Sequence, residues 1–325
     1  MRLLVLALLV VVSGALLCAP AEAARGVRIW KIHYRAHDGV RRAAFVALPA
    51  GYGPRNHPEI PLIISPHGRG LTGRENLALW GSLPARGQFA VVSPDGEGRV
   101  LPNFSWGSKG QIDDLARMPK ILELTLPWIE IAQNQIYAFG GSMGGQEILL
   151  LLALHPHLLA GAAAFDAVTD FAQQYRSFPK LGCLKQCRKT WAGRFGRSLQ
   201  ELARIEVGGS PATRRWAYEE RSPMRFARAI AGSCVPLQIW WSVRDRIVLD
   251  QNEQSGRLFQ RIKQLNPNAP VTGFIGYWAH SAEMRASTRL PQALARFALI
   301  PTVRENIFGA IYELAPPPVD CLNRR

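Results

Sequence analysis

The stretch Ile136-Tyr137-Ala138-Phe139-Gly140-Gly141-Ser142-Met143-Gly144-Gly145 constrains this chain more than any other. An apolar run of strand character leads into Gly-x-Ser-x-Gly, and Gln146 to His155 continues as an apolar helix. Glycines let strand and helix approach closely, and a serine on such a tight turn has its hydroxyl at the edge of a sheet. The helix places backbone N–H groups and a partial positive charge beside any reacting carbonyl. Gly-x-Ser-x-Gly alone occurs by chance in many chains. Between this strand and this helix it marks Ser142 as a nucleophile.

A serine hydroxyl is a poor nucleophile near neutral pH, so it needs a base, and the base needs an orienting carboxylate. On a strand-turn-helix platform the three follow in the order serine, acid, histidine. Of the seven histidines, His33, His37, His57 and His67 precede Ser142, and His155 and His157 end the helix just after it. Only His280 remains, in Tyr277-Trp278-Ala279-His280-Ser281 after the last predicted strand. Asp245 is the expected acid, because it lies just past the apolar run Leu237 to Ser242, in the loop that faces His280 in such a sheet. Asp250 pairs with Glu253 as a capping box, while Asp166 and Asp170 follow the preceding strand, a less common place for the acid. The N–H of Met143 is one expected oxyanion donor, and Gly68 or Arg69, in His67-Gly68-Arg69-Gly70, is the second. Trp106 and Trp278 are candidate aromatic walls of a substrate pocket.

Short β-rich runs alternate with helical stretches, the pattern of an α/β protein with a mostly parallel sheet covered on both faces. Val27 to Tyr34 and Arg41 to Leu48 flank His37-Asp38-Gly39 and read as an antiparallel hairpin. Six further strands are expected at Pro61 to Ser65, Phe89 to Ser93, Gln135 to Phe139, Gly161 to Phe165, Leu237 to Ser242 and Val271 to Tyr277, making eight. Helices are expected over Arg74 to Ala85, Ile112 to Leu126, Met143 to His155, Gln251 to Gln264 and Ser287 to Ala298. From Asp166 to Pro236 the connection is too long for a simple crossover, so a helical insertion, about 172–222, is expected between the sixth and seventh strands. It holds eleven Lys/Arg against four Glu.

Met1-Arg2, the apolar run Leu3 to Leu17 and the small residues before Ala23 predict a leader, 1–23, cleaved after Ala23, followed by one catalytic domain, 24–325. The run is shorter than the ~20 residues of a spanning helix, so the membrane enters only through this leader and the mature protein is expected outside the cytoplasm, secreted or in the cell envelope. There an even set of cysteines favours disulfides: Cys183 with Cys187 and Cys234 with Cys321. No histidine lies near Cys183 and Cys187, so no metal site is expected, and no cofactor is called for. The formal charge of +15 comes without a basic block or a nucleic-acid motif, which excludes a nucleic-acid partner.

Gly140 to Gly145, Tyr218-Glu219-Glu220-Arg221-Ser222-Pro223, the segment Asp245 to Val248 and His280 together resemble the catalytic domain of the prolyl oligopeptidase family and its esterase relatives, over about Pro61 to Ala286. The resemblance implies an α/β-hydrolase fold, with acyl transfer to Ser142 and hydrolysis of a small-molecule ester, a peptide or a polymer-linked acyl group. The competing reading is a noncatalytic hydrolase-like protein whose basic surface binds anionic envelope polymers.

Overall fold

Two nine-residue runs at the start of the chain build one edge of the sheet. β1 (Val27–Arg35) pairs antiparallel with β2 (Arg41–Pro49). Gly39 alone in their turn takes a positive φ, 82°, while the Asp38 carboxylate accepts the Val40 N–H at 3.0 Å. The computed structural model describes residues 26–96, 98–181, 191–302, 311–314 and 321. The leader 1–23 with its cleavage site, and Cys183 with Cys187, lie outside the described residues.

The apolar runs fold as β3 (Ile60–Ile64), β4 (Ala90–Pro94), β5 (Ile131–Gly141), β6 (Gly161–Phe165), β7 (Leu237–Ser242) and β8 (Val271–Gly276). The sheet order is β1-β2-β4-β3-β5-β6-β7-β8-β9, where β9 is Tyr312–Leu314. From β4 to β8 every pairing is parallel. Strands buried on both faces need continuous apolar sequence, which is why these runs do not alternate. The expected eight strands become nine among the described residues: β9 pairs antiparallel with β8 through three residues, two of them exposed, so no apolar run announced it.

Ten α-helices are found among the described residues. α3 (Lys109–Thr125), α4 (Met143–Leu154), α8 (Ala227–Ser233) and α9 (Arg257–Leu265) share one core with one face of the sheet. α1 (Gly73–Ala78), α2 (Leu83–Gly87) and α10 (Leu290–Ala295) cover the other. The single helix expected over Arg74 to Ala85 is thus two, broken at Gly81, whose φ is 50°, with Pro84 in the first turn of α2. The capping box expected at Asp250 does not form. Asp250 takes a φ of 61°, its carbonyl rather than its carboxylate accepts the Glu253 N–H, and the helix opens with a π turn, Asn252–Gly256.

The insertion is helical as expected, with α5 (Phe171–Ser177), α6 (Trp191–Val207) and α7 (Arg215–Glu219). Phe171, Phe178, Leu199, Ala203 and Tyr218 form a separate core that also takes in Trp106 and Met143, so the insertion packs against the residue after Ser142. Cys234 and Cys321 are joined in a disulfide, as expected. It spans 87 residues, and closing a loop of that length in the unfolded chain is worth about 4 to 5 kcal/mol in the chain-entropy picture. Among the described residues no helix is long and apolar enough to cross a membrane.

Candidate active site

The turn between β5 and α4 holds Ser142 at φ 59° and ψ −122°. That backbone costs of order 1–3 kcal/mol in a residue with a Cβ, and it persists only where neighbours over-determine it. Here they do. The Ser142 N–H donates to the Phe165 carbonyl at 2.8 Å, and the Ser142 carbonyl accepts the Gln146 N–H at 3.0 Å. The flanking glycines are required by close approach: a Cβ on Gly140 would collide with the Gly144 carbonyl, and one on Gly144 would lie 2.5 Å from the Pro66 carbonyl oxygen.

His280 and Asp245 meet as the chain order predicts. His280 Nδ1 lies 2.7 Å from Asp245 Oδ2. Asp245 Oδ1 accepts the N–H groups of Ile247 at 2.7 Å and Val248 at 3.0 Å, which fixes the carboxylate on its own turn. With Nδ1–H donated to the carboxylate, Nε2 is left as the acceptor nitrogen. Burial disfavours the charged ring, but the charge and hydrogen bond of Asp245, helped by Asp166, outweigh it and raise the His280 pKa, with Arg69 opposing.

Ser142 and His280 line one half-open cavity of about 220 Å³ together with Gly68, Arg69, Leu71, Leu79, Ile247 and Met284. Gly68 stands close to the serine, since a Cβ on it would lie 4.0 Å from that of Ser142. Met143 is the first residue of α4, where an N–H has no acceptor within the helix. The loop that carries Gly68 and Arg69 is shaped by His67. This buried ring accepts the Gly96 N–H on Nε2 at 2.8 Å, so its Nδ1–H donates to the Gly68 carbonyl at 2.7 Å, and burial lowers its pKa and keeps it neutral.

The two tryptophans do not line this cavity. Trp106 is buried and stacked on Phe171 at 5.3 Å between ring centres. Trp278 is buried in the core over Gly276, where a Cβ would collide with its ring. Asp170 caps α5 by accepting the Gln173 N–H at 2.8 Å.

Sequence reasoning gave no role to the buried acids Asp166, Glu283 and Glu206. Asp166, set aside as an acid in a less common place, lies with Asp245 and His280 in a cluster whose polar atoms are within 4.8 Å of one another. Glu283 is buried one turn past His280. Glu206, on α6, accepts the N–H groups of Arg99, Val100 and Leu101 and so ties the insertion to the loop after β4. A polar residue closing an apolar strand was the only signal for Asp166. Glu206 had none.

The fold is that of the α/β-hydrolases. Many solved structures resemble it, and three serve as examples. One is an acylaminoacyl peptidase from Pyrococcus horikoshii, with a TM-score of 0.58 and 15% identity, covering 86% of this chain and 43% of that one. An esterase from Pyrococcus furiosus gives a TM-score of 0.57 at 15% identity, covering 85% of this chain and 91% of that one. Apo prolyl oligopeptidase B from Galerina marginata gives 0.57 at 12% identity, covering 84% of this chain and 36% of that one. The chain thus spans less than half of the two peptidases and nearly all of the esterase. No family model matches the sequence, and neither does any curated protein.

Proposed function

We propose that the chain is an exported serine hydrolase that cleaves an ester or peptide bond beside a compact apolar acyl group, through Ser142, His280 and Asp245. The observation that carries this reading is the shared cavity. Ser142, in its strained backbone, and His280, paired with Asp245, line the same space.

In this mechanism His280 Nε2 takes the hydroxyl proton as Ser142 Oγ attacks the acyl carbonyl. Asp245 holds the ring in the required tautomer and stabilises the imidazolium. The Met143 N–H receives the developing oxyanion, and the Arg69 N–H is the better second donor than that of Gly68. Across a trans peptide the N–H of Arg69 points opposite to the Gly68 carbonyl. His67 holds that carbonyl, so the N–H is turned the other way. His280 then protonates the leaving group, and water cleaves the acyl-enzyme by the same steps reversed. Leu71, Leu79, Ile247 and Met284 give the cavity apolar walls, suited to a short chain or a single ring. The leader sequence and the Cys234–Cys321 bond support export.

A fluorophosphonate probe is expected to label Ser142 covalently and to leave Ser142→Ala unlabelled. An unlabelled wild-type protein that also turns over no acyl substrate would sink the reading. Comparing p-nitrophenyl esters of graded acyl length with prolyl and alanyl p-nitroanilides decides between ester and peptide.

A further inference from the structure

The end of β6 touches all three segments that carry the proposed catalytic residues. The Phe165 carbonyl accepts the Ser142 N–H, and one residue on, the Asp166 N–H donates to the Trp240 carbonyl in β7, each at 2.8 Å. Asp166 Oδ1 accepts the N–H of Ser242, the last residue of β7 before the Asp245 turn, at 2.7 Å. Its Oδ2 accepts the N–H of Ser281, next to His280, at 2.8 Å. Asp166 has no exposed surface and takes a φ of 42°, a conformation that Asp tolerates better than most residues. An apolar side chain here would leave the buried Ser242 N–H and the part-buried Ser281 N–H without their acceptor.

We infer that Asp166 is a positioning residue: its carboxylate clamps the Asp245 and His280 loops together through the N–H groups of Ser242 and Ser281. The kinetic part of this inference rests on the reading of Ser142, Asp245 and His280 given above.

Glu283 explains how a third carboxyl is tolerated beside the pair. It is fully buried, and its two oxygens find no N–H or O–H donor among the described residues. Burial and the neighbouring Asp166 raise its pKa well above the ordinary range, so it stands as a neutral acid whose O–H can donate to Asp166. Burial, together with the Asp245 charge, likewise pushes Asp166 up to about 7. One proton between the two thus relieves like-charge repulsion beneath the histidine.

The test uses Asp166→Asn and Glu283→Gln in the full mature chain. An amide at 166 offers one oxygen and turns an NH₂ toward the second N–H. It also removes a negative charge facing His280, whose ring otherwise faces Asp245 and Arg69, with Glu283 near Asp166. Asp166→Asn is expected to lose roughly 10- to 100-fold in kcat on a p-nitrophenyl ester with KM within about threefold. The His280 ring titration, followed by NMR, shifts to lower pH, and amide exchange at Ser242 or Ser281 speeds up. Glu283→Gln, which donates as the neutral acid does, keeps kcat within about threefold.

An Asp166→Asn protein with kcat within about twofold of wild type and an unmoved His280 titration would overturn the inference. So would fast exchange of the Ser242 and Ser281 amides in the wild type, a measurement that decides the matter even where Asp166→Asn fails to fold. Absence of fluorophosphonate labelling in wild type would instead count against the Ser142 reading, while the titration and exchange data still judge the clamp.

Discussion

Gly144→Ala tests the geometry that brings the loop of the proposed oxyanion donor Arg69 against the turn that carries Ser142. A Cβ at 144 would sit 2.5 Å from the Pro66 oxygen and 3.2 Å from that of His67. A normal carbon–oxygen contact is about 3.3 Å, so loop and helix must separate by roughly 0.8 Å. Neither partner is a flexible side chain, and overpacking of this kind costs about 1 to 3 kcal/mol. Alanine's better helix propensity returns about 1 kcal/mol, leaving a net loss of about 0 to 2 kcal/mol. The Met143 N–H rides on the displaced helix and the Arg69 N–H on the displaced loop. A misplacement near 1 Å at such donors costs on the order of 10²-fold in kcat. The assays are urea unfolding and kcat on an activated ester. Gly232→Ala in α8 is the control, since that site is exposed and a Cβ there meets nothing within 4 Å. It is expected to leave kcat unchanged and to raise stability by up to about 1 kcal/mol. A Gly144→Ala protein that behaves like this control would refute the close approach of loop and helix.

Two buried carboxyls give further checks. Glu147, one turn beyond Ser142, is pushed up to about 7 by burial, against the pull of hydrogen bonds from Ser105 and Gln111. A folded-state pKa above the unfolded one means that stability is complete at low pH and falls as pH rises through the window from about 4 to 7, by about 3 kcal/mol at most. Glu147→Gln is expected to remove that part of the pH dependence of the melting temperature, and an unchanged profile would count against it. Glu206→Ala strips the acceptor from the Arg99, Val100 and Leu101 N–H groups and leaves the buried Arg221, 4.0 Å away, without this partner. A loss of about 3 to 5 kcal/mol in urea unfolding is expected; a loss below about 1 kcal/mol would show that α6 is not anchored there.

Ser142 was legible because its signal is local: strand, glycines, serine and helix are contiguous, and contiguous residues dictate their own turn. His280 and Asp245 followed from chain order, since a parallel sheet delivers successive strand ends to one edge, and the two meet at 2.7 Å. The hairpin and the buried strands were equally visible in apolar runs. Trp106 and Trp278 were misread because an aromatic ring has the same composition whether it walls a cavity or fills a core, and the direction of the side chain depends on what packs around it. β9 escaped because three mostly exposed residues carry no pattern. The clamp joins Asp166 to Ser242 and Ser281 across 76 and 115 residues, and Glu206 reaches back about as far. Contacts at such separations form only when the folded sheet and its insertion bring the segments together, so neither periodicity nor spacing along the chain can reveal them.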